Sequence, residues 1–157
     1  MTEERFVIRD GLREEDVPTI SSFLREFVLS PDAAFDHSEA GKEYFRRKYD
    51  PDRVCDWRDD IVMTAWDGAY LAGFGRARKD GFVTHVFVTE KYRRQGLGAR
   101  LLEILEESLG AEGLKFIFLD SDSESVGFYE RNGWVRREPS ALDESGVLLV
   151  PMEKRME

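Results

Sequence analysis

Apolar residues recur at two different spacings along the chain, and the spacing separates predicted helices from predicted strands. Six of them, three or four positions apart, predict an amphipathic helix over residues 14–29: Val17, Ile20, Phe23, Leu24, Phe27 and Val28. A second apolar face predicts a helix over residues 99–109 and comprises Leu101, Leu102, Ile104, Leu105 and Leu109. Residues 38–49 are predicted to form a more polar helix, and residues 51–60 a charged loop.

Short apolar runs bounded by turn residues predict strands. They cover residues 6–9, 61–66, 69–77, 82–88, 114–119, 134–137 and 147–152. Asp67-Gly68 fits a type I′ hairpin turn, and Gly73 and Gly75 predict a bulge or a kink in the following strand. The order of elements predicts an α/β (α+β) fold with a mixed sheet whose centre is an antiparallel meander. A length of 157 residues predicts a single domain over residues 1–157.

Composition narrows the classes of function. A net charge of −9 argues against non-specific nucleic-acid binding. No apolar run approaches the roughly 18 residues of a membrane helix, and the first residues lack the apolar core of a signal peptide, so we expect a cytoplasmic protein that binds no membrane. The single cysteine, Cys55, forms no intrachain disulfide, and two histidines without a cysteine pair predict no metal site.

The segment most informative about function is Arg93-Arg94-Gln95-Gly96-Leu97-Gly98-Ala99, which we call the glycine turn. It lies between the strand predicted over residues 82–88 and the helix predicted over residues 99–109. Glycines let a ligand approach the backbone, and the free N–H groups at a helix start attract anions. The two arginines can hold phosphate oxygens. The glycine turn therefore predicts a site for a phosphate-bearing ligand, with a plain turn of positive charge as the simpler alternative.

Two common phosphate-binding motifs fit this segment poorly. A P-loop requires Lys and then Ser or Thr after its last glycine, whereas Ala99-Arg100 follow here. A dinucleotide-binding turn requires a third small residue three positions after the second glycine, where this chain has Leu101. What remains is the pattern Arg-x-x-Gly-x-Gly, formed by Arg93, Gly96 and Gly98.

A second motif, Phe128-Tyr129-Glu130-Arg131-Asn132-Gly133-Trp134, follows the strand predicted over residues 114–119. Asp122 or Ser123 is predicted to cap the start of its helix, and Asn132-Gly133 to end it. Together the two motifs resemble the GNAT superfamily of acetyl-CoA-dependent N-acetyltransferases. Members of that family carry Arg/Gln-x-x-Gly-x-Gly/Ala and then Phe-Tyr-Glu-x-x-Gly-Phe/Trp. The resemblance is close over residues 60–136 and looser before them.

The resemblance implies a GNAT-like sheet, splayed beside the glycine turn and flanked by about four helices, with the pantetheine arm of acetyl-CoA in the opening. It implies that the strand segment Val86, Phe87 and Val88 pairs with that arm through its backbone. It also implies that the cofactor pyrophosphate is held by Arg93, Arg94, Gln95, Gly96, Leu97, Gly98 and Ala99. The family position for an asparagine that contacts the arm is Asp122 here, and the following alanine position is Ser125.

Acetyl transfer also needs a proton donor for the leaving thiolate and a route for the proton of the amine. The resemblance implies that Tyr129 is the donor, because a phenol with a pKa of about 10 stays protonated at pH 7. Packing of Tyr129 against the cofactor is the structural alternative. For the base, the strand before the turn offers Thr84 and His85. His85 is the candidate, and a water chain to backbone carbonyls is the alternative.

The expected function is therefore transfer of an acetyl group from acetyl-CoA, as cosubstrate and without a metal, to a primary amine of a small molecule or protein. The acidic chain favours a cationic amine. Five aromatic residues are candidates for an acceptor pocket, although core packing would explain most of them: Phe35, Tyr44, Tyr49, Trp57 and Trp66. The alternative function is a non-catalytic acyl-CoA-binding regulatory module. The resemblance also allows a homodimer.

Overall fold

The computed structural model describes residues 5–30, 35, 37–137, 141–142 and 148–156, and their elements confirm the predicted mixed α/β fold with antiparallel sheets. The α-helices of this part of the chain are α1 (Val17–Leu29), α2 (Glu39–Lys48), α3 (Pro51–Val54), α4 (Leu97–Ala111) and α5 (Val126–Arg131). The strands are β1 (Val7–Asp10), β2 (Ile61–Asp67), β3 (Tyr70–Ala77), β4 (Val83–Val88), β5 (Phe116–Asp122), β6 (Val135–Arg136), β7 (Ala141–Leu142) and β8 (Leu148–Arg155). Among these helices, none has the length and apolar character that crossing a bilayer requires.

The strands form two antiparallel sheets that separate between β4 and β5. The first sheet has the order β1-β2-β3-β4, and the second has the order β5-β8-β6 with β7 also paired to β8. In the described residues the two sheets are joined by one parallel bridge between Phe82 and Phe118, where the Phe118 N–H donates to the Gly81 carbonyl at 2.9 Å. Beyond this bridge β4 and β5 run on without pairing. The gap between them, which we call the β4–β5 opening, is the splay that the resemblance implied.

Two apolar cores lie on the two faces of the first sheet. One core contains the leucines of α4 and extends to β5 and β8, and the other packs α1, α2 and α3 on the opposite face. Gly73 and Gly75 let α4 approach β3 closely, because a Cβ at these positions would lie 2.9 Å from Leu101 Cδ1 and 3.1 Å from Leu105 Cδ1. The bulge in β3 lies at Ala72, directly before the predicted glycine.

The prediction of a charged loop over residues 51–60 is wrong. These residues form α3 and then a 3₁₀ helix, Cys55–Asp59. The Asp50 carboxylate accepts the Asp52 N–H at 3.0 Å and so caps α3, and Pro51 occupies its first turn, where proline is tolerated. Val54 and Trp57 are buried, three positions apart. Two apolar residues in a run of charges are too few to reveal helical periodicity.

Smaller differences concern turns and ends. The hairpin after β2 turns at Gly68-Ala69, and the φ of Gly68 is +60°. Ala69 is not among the described residues with positive φ, so the pair has the signs of a type II′ turn rather than the predicted type I′. The strand predicted over residues 114–119 lies at residues 116–122, and α4 begins two residues before its predicted start. The first residue of the last predicted strand, Val147, lies outside the described residues.

Candidate active site

The glycine turn connects β4 to α4 through two left-handed residues. Arg94 has φ +63° and Gly96 has φ +80°, and Gly96 is the N-cap of α4. The first bond of the helix runs from the Arg100 N–H to the Gly96 carbonyl at 3.1 Å. The N–H groups of residues 97–99 therefore precede the helical ladder, and no acceptor in the described residues takes them. A Cβ at Gly96 would meet nothing within 4 Å, so the space in front of these donors is open.

Gly98 joins the glycine turn to the second motif. A Cβ built on Gly98 would lie 3.4 Å from Phe128 Cζ and 3.7 Å from Val88 Cγ2. The ring of Phe128, in α5, thus packs directly on the first turn of α4, and both contact the end of β4. The next residue of α5, Tyr129, packs against the core that contains α4 and lies within range of the charge of Asp122, at the end of β5.

The free edge of β4 carries backbone groups without a strand partner. Phe87 pairs with Phe74 of β3, and the Thr89 N–H donates to the Ala72 carbonyl at 3.1 Å. Because alternate residues of an antiparallel strand direct their N–H and C=O groups to alternate edges, Val86 and Val88 direct theirs into the opening. The Val88 carbonyl accepts a hydrogen bond from Arg93 Nε at 3.0 Å, so the Val86 groups and the Val88 N–H are those that a molecule in the opening can pair with.

Tyr129 contributes a hydroxyl that no described residue engages. Its ring packs edge-on against Phe128 and Trp134, with centroid distances of 5.1 and 6.0 Å. Burial raises the pKa of Tyr129 above its ordinary value of 10.0, and the negative charge of Asp122 raises it further. The phenol is thus a protonated donor with no protein acceptor in the described part of the chain.

Asp122 lies at the end of β5, on the opposite side of the opening from β4. The prediction that Asp122 or Ser123 caps α5 is wrong, because Ser125 is the N-cap and its side chain makes no capping bond. Asn132 ends the helix and Gly133, with φ +91°, follows it, as predicted. Asp122 is therefore available at the opening rather than engaged by the backbone of α5.

His85 is buried, with 4% of its surface exposed, and both ring nitrogens are bonded. Nε2 lies 3.0 Å from the Tyr49 hydroxyl, and Nδ1 lies 2.8 Å from Thr84 Oγ1. The Thr84 hydroxyl donates to the Arg76 carbonyl at 3.1 Å, so it accepts from Nδ1–H, and Nε2 accepts from Tyr49. These bonds fit a neutral imidazole that carries its proton on Nδ1.

Burial lowers the pKa of His85 well below 6.5, and the positive charges of Lys48 and Arg76 lower it further. Thr84, its neighbour, is the extra residue of a β-bulge, since His85 pairs with Arg76 and Val83 with Ala77. The bulge and the Tyr49–His85 bond hold this end of β4 in place. The structure thus surrounds His85 with protein side chains and gives it no free nitrogen for a substrate.

A cavity of about 310 Å³ lies next to the glycine turn and includes residues that the sequence analysis did not select. Its lining consists of Gly96, Ala99, Arg100, Glu103, Glu106, Asn132 and Lys154. Lys154 Nζ donates to Glu106 at 2.6 Å and to the Asn132 carbonyl at 2.9 Å. No local pattern marks Lys154, because it reaches the cavity from β8, far along the chain from the glycine turn.

The known proteins that this chain resembles are acetyltransferases. The acetyltransferase (GNAT) domain family matches residues 33–156. The uncharacterized N-acetyltransferase YjcF of Bacillus subtilis (strain 168) is 29% identical over 96 residues, which are 59% of this chain and 68% of that protein.

Solved structures agree in fold. A GCN5-related N-acetyltransferase from Rhodopseudomonas palustris superposes with a TM-score of 0.79 at 19% identity, over 96% of this chain and 95% of that one. The PaiA N-acetyltransferase from Thermoplasma acidophilum, solved in complex with coenzyme A, gives a TM-score of 0.78 at 21% identity, over 96% and 99% of the two chains. With the family match covering most of its length, the chain belongs to the GNAT acetyltransferase family.

Proposed function

We propose that this protein binds acetyl-CoA in the β4–β5 opening and transfers the acetyl group to a primary amine. The observation that carries the proposal is the unpaired edge of β4, which directs the backbone of Val86 and Val88 into an opening next to the glycine turn. Two proteins of similar fold support the proposal. The Thermoplasma acidophilum enzyme was solved with coenzyme A. The putative acetyltransferase yncA from Salmonella typhimurium, which superposes on this chain with a TM-score of 0.69, was solved with acetyl-CoA. One domain over residues 1–157 would contain the whole site.

Residues 94–99 of the glycine turn would hold the pyrophosphate. The N–H groups of residues 97–99 lack protein acceptors among the described residues, and they lie at the positive end of a 15-residue helix. Arg94 adds positive charge before Gly96, whereas Arg100, after it, is paired with Glu103. The pantetheine arm would pair with Val86 and Val88, with Asp122 across the opening.

The chemistry requires a neutral amine, a thioester held still and a proton for the thiolate. An amine of pKa about 10.4 costs roughly 4.6 kcal/mol to deprotonate at pH 7, and water leading to backbone carbonyls would take that proton. The amine nitrogen forms a bond to the acetyl carbon, loses its second proton to the same water chain, and the C–S bond breaks. Tyr129 donates its proton to the departing sulfur and recovers one from solvent.

His85 would act as a positioning residue in this scheme. Its two nitrogens bond to Tyr49 and Thr84, and these bonds fix the bulge that sets the course of β4 toward Val86. The unengaged hydroxyl of Tyr129 favours an enzyme over a module that only binds acyl-CoA. A phenol that served packing alone would gain nothing from a half-buried hydroxyl without a partner.

Titration calorimetry with coenzyme A tests the site. Gly96→Asp places a negative side chain in the open space before the helix start, and we expect binding to be lost. Gly113→Asp is the matched control: Gly113 has φ +84° and equally open surroundings, but it follows the other end of α4. It carries the same backbone strain without approaching the turn. Unchanged affinity in Gly96→Asp, with both variants folded, would overturn the proposed cofactor site.

A further inference from the structure

β4 divides the space around the opening into two faces. Val86 and Val88 pack toward the core that contains α4, and Tyr129 packs against that same core. His85 and Phe87 pack on the other face, against α1 and α2. A thioester along β4 would therefore have the proton donor on one side. The amine would then approach the thioester from the other side, where Phe87 lies.

Three phenylalanine rings form a wall on this second face. Phe27 of α1 stacks on Phe87 at a centroid distance of 4.1 Å, with the ring planes 8° apart. Phe35 meets both rings edge-on, at 6.5 Å from Phe27 and 6.2 Å from Phe87. All three side chains are half-buried and carry no polar atom, so this aromatic wall suits a flat apolar group.

Arg93 lies at the border between the aromatic wall and the free edge of β4. Its Nε donates to the Val88 carbonyl at 3.0 Å, and its guanidinium carbon lies 5.7 Å from the centroid of the Phe27 ring. The two contacts fix the guanidinium plane. Its terminal nitrogens make no hydrogen bond or ion pair with any described residue, so they remain free to bind a carboxylate in a fork.

Positively charged side chains lie near the aromatic wall, although the whole chain carries −9. The charges of Lys48 and Arg76 both reach His85, which contacts Phe87 at a centroid distance of 5.1 Å. Arg76 is paired with the carboxylate of Asp60, with N–O distances of 2.8 and 2.7 Å, so these two charges offset each other. The positive charge that an acceptor carboxylate would meet at the aromatic wall is therefore that of Arg93.

We infer that the amine acceptor carries a carboxylate and a flat apolar group, as an aromatic amino acid does. Arg93 binds the carboxylate, and the aromatic wall of Phe27, Phe35 and Phe87 contacts the ring. This inference rests on the proposed acetyl transfer. It replaces the cationic acceptor expected from net charge, because the charge next to the opening, rather than the sum over the chain, governs recognition of a small substrate.

The test is release of coenzyme A from acetyl-CoA with matched acceptor pairs: phenylalanine, tyrosine and tryptophan against 2-phenylethylamine, tyramine and tryptamine. Each pair differs only by the carboxylate. We expect kcat/KM at least about tenfold higher for the amino acid in a pair, the scale of one charge-assisted hydrogen-bonded contact. Equal or higher kcat/KM for the decarboxylated amines, or for 1,5-diaminopentane, would overturn the inference and leave the proposed transfer intact.

Substitutions test which side chains recognise the acceptor. Arg93→Gln should raise the KM for the amino acid about tenfold or more and remove the preference within a pair, with the KM for acetyl-CoA unchanged. Arg47→Gln, at an arginine of α2 with 70% of its side chain exposed, is the charge-matched control. Phe27→Leu should raise KM for phenylalanine but not for alanine. A rise confined to the KM for acetyl-CoA in Arg93→Gln would assign Arg93 to the phosphates and overturn the inference.

Different results would overturn the proposed function and the acceptor class. A protein that binds coenzyme A but acetylates no amine in the panel would overturn the proposed function, and this inference with it. A protein that acetylates only the diamine would overturn the acceptor class alone.

Discussion

Gly98 in the first turn of α4 lies against Phe128 in α5, so closely that a Cβ at Gly98 would stand 3.4 Å from Phe128 Cζ. The two sequence motifs are thus one packed unit, in which the glycine turn and α5 share a contact. The distance is that of ordinary van der Waals contact for one methyl group and leaves no room for a second.

This contact predicts a steep size dependence at position 98. Gly98→Ala should leave stability within about 1 kcal/mol of wild type, because alanine also favours the helix. Gly98→Val should displace Phe128, cost about 1–3 kcal/mol and lower kcat, because α5 carries Tyr129. Urea denaturation and single-turnover rates measure the two effects. Wild-type kcat in Gly98→Val would show that the position of α5 does not matter to the chemistry.

Arg94 is the one described residue other than glycine that has a positive φ, +63°, and it precedes the proposed phosphate site. A left-handed conformation costs a residue with a side chain about 1–2 kcal/mol. Arg94→Gly should therefore keep or raise stability by up to about 1 kcal/mol, yet weaken coenzyme A binding about tenfold through the lost charge. Arg94→Ala should lose the affinity without the gain in stability. Calorimetry and thermal unfolding of the two variants separate strain from charge.

Tyr129→Phe should lower kcat by about ten- to a thousand-fold, on the scale of one general acid, with little change in affinity for acetyl-CoA. Stability should hardly change, because the Tyr129 hydroxyl bonds to no described residue. Tyr49→Phe is the comparison variant, since it removes a hydroxyl from a fully buried tyrosine, one that bonds to His85 at 3.0 Å. It should cost about 1–3 kcal/mol of stability and lower the single-turnover rate far less than Tyr129→Phe does, because Tyr49 positions β4 and donates no proton to the thiolate.

Single-turnover measurements are needed for this comparison, because slow product release would mask a chemical defect. A wild-type single-turnover rate in Tyr129→Phe would mean that the thiolate leaves unassisted or takes a proton from water.

His85 predicts how stability depends on pH. Its pKa in the folded protein lies below 6.5, so below that pH the unfolded chain binds a proton that the folded protein excludes. The contribution of His85 to the free energy of unfolding is complete above about pH 7.5 and is lost as the pH falls through 6.5. Its slope is up to about 1.4 kcal/mol per pH unit. His85→Gln should remove this part of the slope between pH 7 and pH 5 in urea denaturation. An unchanged slope would mean that His85 takes up its proton when folded.

The elements that the sequence predicted correctly are those with local causes. The glycine turn follows from Gly96 and Gly98 within one short segment, and the end of α5 follows from Asn132-Gly133. The helix at residues 51–54 was not predicted, because it is stabilised by burial of Val54 against α1. No pattern within the segment displays that contact.

Side-chain environments were harder to predict because their causes lie far along the chain. His85 contacts Tyr49, 36 positions away, and its place depends on the bulge at Thr84. Glu106 and Lys154 meet across 48 positions beside the cavity. The motif predicted the Arg93 side chain to be a phosphate ligand, whereas its orientation depends on Phe27 in α1, which no pattern near residue 93 displays.

The bridge between Phe82 and Phe118 has a consequence for how this enzyme family member can diverge. In a continuous sheet, hydrogen bonds fix neighbouring strands about 4.8 Å apart, and no side chain can change that spacing. Past the bridge, the distance between β4 and β5 is governed instead by the volume of the core beneath them, where leucines of α4 contact both sheets. Core substitutions that add or remove a single methylene group can therefore change the width of the opening. Substitutions that never touch the opening can thus change which molecules fit into it.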